Sequence, residues 1–212
     1  MTILIETMRV RRGRIPLLHH HAARFAASLA ALGLPPALSL DAAAREADSV
    51  QDGVVRVEAE AAGLEVTSRL HESPRPISVR TVSGYRPYPH KVADRDQFLA
   101  ACTTARAAGA DDALLVNPQG EVAEGTTWTL FWWDSRGLYT PALSLGVLPS
   151  VARARFAEMG SVCEGSCPIE QLALRGCFAA NAVRGVIPIR EIDGALVRAD
   201  ERTVRLAARF WP

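Results

Sequence analysis

The chain has 212 residues, 49% of them hydrophobic and 22% charged, with a formal net charge of +1 at pH 7. That length and apolar fraction suffice for one or two buried cores, and the near-neutral balance leaves no electrostatic footprint for nucleic acid or an anionic membrane surface. No apolar run approaches the ~20 residues that a membrane-crossing helix needs.

The opening MTILIETMRV is too short and too polar for a signal peptide. LIETMRV and RIPLL read as two strands around a tight turn at Gly13. HHHAARFAASLAALG has helical spacing, with Phe25, Leu29 and Leu32 on one face, Gly33 as the stop and Pro35 and Pro36 beyond it. LDAAAREADSV predicts a second helix with Asp41 as its N-cap. GVVRVEAEAAGLEVTSRL alternates as a hairpin. The prolines of HESPRP cannot continue a central strand and mark a linker, which divides the chain into a small subdomain, residues 1–73, and a larger one, residues 74–212. There follow a strand ISVRTVS, a proline-rich loop, a helix from Asp94 to Gly109, and short strands through DALLVN, EVAEG, TWTLFWW and LYT. PSVARARFAEMG predicts a helix opened by Pro149 and closed by Gly160. IEQLALRG reads as a short helix, CFAANA and GVIPIREIDG as strands, and DERTVRLAARF as an amphipathic closing helix. Interleaved strands and helices in both halves predict an α/β (α+β) protein. Cys102, Cys163, Cys167 and Cys177 form no CxxC pair, which points to free thiols in a reducing cytoplasm.

Lys91 is the only lysine; every other basic side chain is arginine. Most lysines are solvated surface charges, and arginine serves solubility equally well. Lysine alone can lose its proton when desolvated and act as an amine nucleophile. Glu124 precedes Gly-Thr-Thr and an apolar strand; it is either a turn acid facing water or a buried carboxylate able to hold a heterocycle nitrogen protonated. LGVLPSVAR sets the amides near Ser150, Val151 and Ala152 at a helix N-terminus, an anion site. FAANAVRG presents a second turn of backbone donors, and Arg24 could supply charge. His19, His20 and His21 are adjacent on a helix and point about 100° apart, which argues against one shared metal ion. Trp132 and Trp133 face opposite sides of a strand, as packing residues do.

Taken in order, ETMRV, HAARFAASLAALG, HK, GADDALLVNPQGEVAEGTTWTLF, GVLPSVAR and FAANAVRGVIPI resemble the class IV (fold-type IV) pyridoxal-phosphate enzymes over nearly the whole chain. That group holds branched-chain and D-amino-acid aminotransferases and 4-amino-4-deoxychorismate lyases. The resemblance implies a two-subdomain fold like that of D-amino-acid aminotransferase, a homodimer, and pyridoxal 5'-phosphate between the subdomains. By it Lys91 looks like the Schiff-base lysine and Glu124 like the partner of the pyridine nitrogen. Arg24, the Val151 and Ala152 amides and the Asn181–Ala182 turn look like the phosphate cup. Thr7, Arg9, Arg86 and Arg95 are candidates for the substrate side, because hydroxyls and bidentate arginines suit a carboxylate-bearing ligand.

HKVADRDQF and NAVRGVIPI look more like the lyases, and the Asn-Tyr that usually follows the lysine in branched-chain enzymes is absent. The sequence departs from the family pattern where Ala152 replaces a threonine and Thr129 an asparagine, and it begins just before ETMRV. Three functions follow as expectations: a lyase releasing 4-aminobenzoate and pyruvate in folate biosynthesis, an aminotransferase of branched-chain or D-amino acids, and a non-catalytic family member.

Overall fold

The structure is a computed structural model that describes residues 2–160 and 162–212. Strands β1 (Leu4–Arg11), β2 (Asp52–Glu60) and β3 (Gly63–Arg69) form a three-stranded antiparallel sheet with β2 in the middle. The side chains of β1 alternate between two environments. Leu4, Met8 and Val10 join Val55, Val57 and Ala59 of β2 in a core covered by Phe25 and Leu29 of α1 (Leu18–Leu32) and by Ala43 and Ala47 of α2 (Asp41–Val50). Burial of each large member of that core contributes roughly 1.5–3 kcal/mol. The opposite face carries Ile5 and Thr7, and looks into a cavity.

The rest of the chain builds a nine-stranded sheet in the order β6-β5-β4-β11-β10-β7-β8-β9, with β12 on β11. Its strands are β4 (Ile77–Ser83), β5 (Asp112–Val116), β6 (Val122–Gly125), β7 (Thr129–Asp134), β8 (Gly137–Pro141), β9 (Val162–Gly165), β10 (Cys177–Asn181), β11 (Gly185–Ile192) and β12 (Ala195–Leu196). The parallel pairs β4–β5 and β8–β9 need crossovers, and these carry α3 (Asp96–Ala107) and α4 (Val151–Met159) respectively. Two shorter helices, α5 (Ile169–Leu172) and α6 (Glu201–Ala208), complete the fold.

The sheet is curled. Along the hydrogen-bonded path β6 and β7 are five strand steps apart, roughly 24 Å if the sheet were flat. Only residues 126–128 join them, and the four chain steps from Gly125 to Thr129 reach no more than ~14 Å. Alternation along β7 then divides the cores: Leu130 and Trp132 pack with Ile77, Leu114 and Ile187, whereas Phe131 packs with Phe156, Phe178 and Phe210 beneath α4 and α6, with Trp133 against them. A third cluster, with Phe98, Ala113 and Leu115, sits under α3.

Several local expectations need revision. RIPLL is not a strand: Arg11 and Arg14 make one isolated bridge, and β2 takes the partner position on β1 instead. Asp41 is the first residue of α2, after Leu40 as N-cap, and accepts a hydrogen bond from Ser39 Oγ at 2.9 Å. The sequence reading missed β9, whose four residues are too few to alternate visibly. Residues 70–76 hold no regular element, in keeping with the prolines there.

The turn after β6 depends on a close approach. Gly125 N–H donates to the Trp128 carbonyl at 2.9 Å, and a Cβ on Gly125 would lie 2.0 Å from the Trp128 indole, itself fixed by donation to Asp112 at 2.9 Å. Gly125→Ala is therefore expected to lose roughly 1–3 kcal/mol through overpacking. Urea unfolding measures this, and an unchanged midpoint would contradict the clash.

Candidate active site

Both sheets contribute to one cavity of about 960 Å³, at the upper end of the range for small-molecule sites. It forms because β1 is stitched to the segment that carries Lys91. Ile5 N–H donates to the Lys91 carbonyl and Ala93 N–H to the Ile3 carbonyl, each at 2.8 Å. Lys91 faces the cavity but is crowded by protein, so burial, then the nearby Arg95 and Arg24 cations, pushes its amine down from 10.5 to about 7.

Glu124 leaves β6 into the same cavity and is 6% exposed. Burial pushes its carboxyl up from 4.5 to about 7. The Tyr85 hydroxyl, shared with the Gly146 carbonyl, donates to Glu124 Oε1 at 2.9 Å, and Leu148 N–H donates to the same oxygen at 3.2 Å. Among the described residues no protein group bonds Oε2. The carboxylate is thus held by one oxygen while the other can meet a ring N–H.

The helix N-terminus expected from sequence to offer an anion site also lines the cavity. Ser150 Oγ caps α4 by accepting from Arg153 N–H at 3.1 Å, and the amides of Val151 and Ala152 have no intrahelical acceptor. Asn181 builds a turn beside them: its Oδ1 accepts from Val183 N–H at 3.0 Å and Arg184 N–H at 2.7 Å, while its Nδ2 donates to the Thr127 carbonyl at 3.0 Å. The Asn181 side chain is therefore committed to the turn, and the Ala182 backbone is what the turn presents.

Arg24 of α1 lines the same cavity, held by a residue the sequence reading did not single out. Glu6, 2% exposed, accepts from Arg24 Nε at 2.9 Å and Nη2 at 2.6 Å, and from His21 Nδ1 at 2.6 Å. Burial alone would raise Glu6; the Arg24 and His21 contacts outweigh it and leave the carboxyl at about 2. Because a carboxylate only accepts, the His21 proton sits on Nδ1. Burial keeps His21 below its ordinary value, and its Nε2 has no hydrogen-bond partner.

Of the expected site residues, Thr7, Arg24, Lys91, Arg95, Glu124, Val151, Ala152, Asn181 and Ala182 all line this cavity. Arg9 and Arg86 lie off it. The Arg9 guanidinium bonds the Gly53 carbonyl at 2.9 Å and pairs with Asp52, and Arg86 is exposed. Thr126, Thr127 and Arg184 line the cavity without having been expected there; Arg184 stands within the turn, three residues after Asn181, and reads in sequence as one arginine among many. His19 and His20 do not diverge as helix geometry suggests: their ring centroids are 3.9 Å apart, and they lie 3.9 Å and 3.1 Å from the two oxygens of Glu158 on α4. Arg155 also donates to that carboxylate at 2.8 Å, so the cluster joins α1 to α4 through Glu158.

A lysine amine near neutrality, a carboxylate with one free oxygen and converging anion-binding amides define a site for a phosphate-bearing cofactor that exchanges amines. Residues 3–192 match the family described as amino-transferase class IV, and the chain belongs to that family. It is a pyridoxal-phosphate-dependent enzyme acting on small amine substrates. Similar solved structures include a provisionally named 4-amino-4-deoxychorismate lyase from Legionella pneumophila, 23% identical over 98% of this chain and 91% of that one, with a TM-score of 0.85. A branched-chain aminotransferase from Thermoproteus uzoniensis, solved with norvaline, is 20% identical over 99% and 84%, with a TM-score of 0.87. An aminotransferase from Brucella abortus bound to PLP is 24% identical over 98% and 87%, with a TM-score of 0.81. A search of curated proteins returned no match. No helix among the described residues is long and apolar enough to cross a membrane.

The two shifted groups make the stability of the cofactor-free protein pH-sensitive. Lys91, lowered to about 7, destabilises the fold fully below that pH, and the penalty fades between pH 7 and 10.5. Glu124, raised to about 7, contributes no penalty below pH 4.5 and its full penalty above pH 7. Their combined cost peaks near pH 7. Lys91→Met and Glu124→Gln are each expected to raise the melting temperature of the cofactor-free protein at pH 7. The Lys91→Met gain should shrink by pH 10 and the Glu124→Gln gain by pH 4.5; gains independent of pH would refute this origin.

Proposed function

We propose that the protein is a lyase converting 4-amino-4-deoxychorismate into 4-aminobenzoate and pyruvate. The observation that carries this reading is the character of the wall around Lys91. Thr7, Thr126, Thr127 and Thr129 line the cavity that Lys91 faces, together with arginines, a lining suited to an oxygen-rich, charged ring more than to a branched aliphatic side chain. The sequence features shared with the lyases and the similarity to the Legionella protein support the same choice.

In this reading Arg24, the Val151 and Ala152 amides and the Ala182 turn hold the cofactor phosphate, and Glu124 Oε2 faces the ring nitrogen with Tyr85 fixing the carboxylate. When bound, pyridoxal phosphate supplies the electron sink for the bond broken at the amine-bearing carbon. Lys91, near neutrality, is poised both to attach the cofactor covalently and to take the proton from that carbon. Loss of this proton permits the C–O bond to the enolpyruvyl group to break. That group leaves as pyruvate once Lys91 returns the proton, and the ring becomes aromatic. The proton removal is shared with transamination, the reading that the similarity to the Thermoproteus enzyme favours; the two separate by where Lys91 delivers the proton. The same proposal makes the protein a cytoplasmic homodimer that supplies 4-aminobenzoate for folate synthesis.

The purified protein should be yellow, with a visible band that borohydride bleaches, fixing the cofactor mass on the peptide containing Lys91. Given aminodeoxychorismate it should release 4-aminobenzoate; amino-group transfer to 2-oxo acids with no such release would overturn the lyase reading. Lys91→Ala should abolish turnover, and a colourless protein that takes up no added cofactor would remove the enzymatic reading altogether. Arg24→Ala should weaken cofactor retention and also cost roughly 3–5 kcal/mol of stability, because Glu6 would stay buried without its cation. Thermal melts and cofactor titration separate the two effects.

A further inference from the structure

We propose that Arg95 and Arg184 form a second anion subsite on the cavity wall, built on adjacent Thr126 and Thr127, and that it takes a carboxylate of the substrate. The inference rests on this cavity being the amine-substrate site, whether the outcome there is elimination or transamination.

Each guanidinium is anchored through one Nη2: Arg95 donates to the Thr126 carbonyl, and Arg184 donates to Thr127 Oγ1 at 3.0 Å. Arg95 also lies 4.6 Å from the centroid of the Phe98 ring, with its Nη1 3.4 Å from the Tyr88 hydroxyl. Every one of these partners is neutral. Among the described residues neither arginine is in a salt bridge, whereas Arg24 pairs with buried Glu6 at 2.6 Å and the more exposed Arg56 with Glu58 at 2.8 Å; Arg69 and Arg106, which line the cavity and also lack a salt bridge, are exposed to water.

Acids lie within electrostatic range of the two arginines, but among the described residues none forms an ion pair with either. Asp112, near Arg184, accepts from Thr126 Oγ1 at 2.6 Å and Trp128 Nε1 at 2.9 Å instead. Glu72 is exposed, and Glu124 is near Arg95 without a salt bridge to it. Withdrawing a guanidinium from water without a counter-charge is costly, and proteins keep such cations where an incoming anion completes them. A guanidinium has five N–H groups; two or fewer are used on each of these, so both retain donors for a bidentate carboxylate. The phosphate already has a separate cup at the α4 N-terminus, so the anion left for this pair is one carried by the substrate. A substrate with two carboxylates, or with one carboxylate remote from its amine, fits.

The test titrates the cofactor-loaded protein with isophthalate, a dicarboxylate with no amine to react, and with isophthalamide, its neutral analogue. Isophthalate should bind at least about tenfold more weakly to Arg184→Gln and to Arg95→Gln, with isophthalamide binding and cofactor retention unchanged in Arg184→Gln. Arg184→Lys, which keeps the charge, should recover part of the loss and guards against a folding defect. Isophthalate affinity within twofold of wild type in both glutamine variants would overturn the subsite. Loss of cofactor retention in Arg184→Gln with isophthalate binding intact would overturn it too, by assigning that arginine to the phosphate. Arginine-dependent isophthalate binding in a protein that forms no 4-aminobenzoate supports the subsite while removing the lyase reading; 4-aminobenzoate formation with no arginine dependence does the reverse.

Discussion

The two backbone hydrogen bonds between β1 and the segment 91–93 govern this molecule. Ile5 donates to the Lys91 carbonyl and Ala93 to the Ile3 carbonyl, and through them the single lysine is fixed to the edge of the three-stranded sheet although it belongs to the larger half of the chain. Each bond alone is worth about 1 kcal/mol net. Their importance is geometric. They fix which face of β1 looks at Lys91, and with it where Thr7 points. Because strand alternation has a period of two, that choice sends Glu6 to the other face, against α1, where it meets His21 and Arg24.

Glu6 carries the consequence onward. A carboxylate buried this deeply survives as an anion only because two partners surround it. It fixes Arg24 by a bidentate contact, so the guanidinium meets the cavity in one orientation, with little side-chain entropy left to lose. Contacts of His19 and His20 with Glu158, which Arg155 also holds, tie the same helix to α4, whose N-terminal amides line the cavity too. A strand acid, a helix arginine and a helix N-terminus from distant parts of the chain thus converge through contacts that are individually ordinary.

How much of this was legible in the sequence differs by residue. Lys91 stood out because it is unique, and Glu124 because Gly-Thr-Thr follows it; both rest on local pattern. Most elements were legible for the same reason, since α1, β2 and β3 show their periods plainly. Glu6 was not, because in IETMRV it is one polar residue in a strand, and only the pairing with β2 and the position of α1 show that it is buried. Arg184 and Thr127 were illegible because 57 residues separate them, and only the pairing of β10 with β7, which sets Ala180 opposite Thr129, brings them together. Arg9 misled in the opposite sense: it shares the cavity face of β1, yet Asp52 and the Gly53 carbonyl hold its guanidinium elsewhere. Chemistry carried by one residue type in one motif can be read from sequence, whereas chemistry that depends on which face turns inward waits for the fold.

Charge in the cavity is arranged in two tiers. Arg24 is neutralised by the buried Glu6 carboxylate, so its position is fixed before anything binds, while Arg56 pairs more loosely with the half-exposed Glu58. Lys91 and Glu124 are each moved to about 7 from opposite directions, so near neutrality neither group is committed to its charge. A fully charged pair in so crowded a space would cost the fold more, and a lysine held wholly as its ammonium would have no lone pair with which to take a proton. Remaining between the two states leaves their final protonation to the ligand: an anion near Lys91 favours its ammonium form, and a ring nitrogen at Glu124 favours whichever state completes the hydrogen bond. Such groups are expensive to stability and useful to chemistry in the same measure, which is why they occur here at the junction of two sheets whose apolar cores are elsewhere.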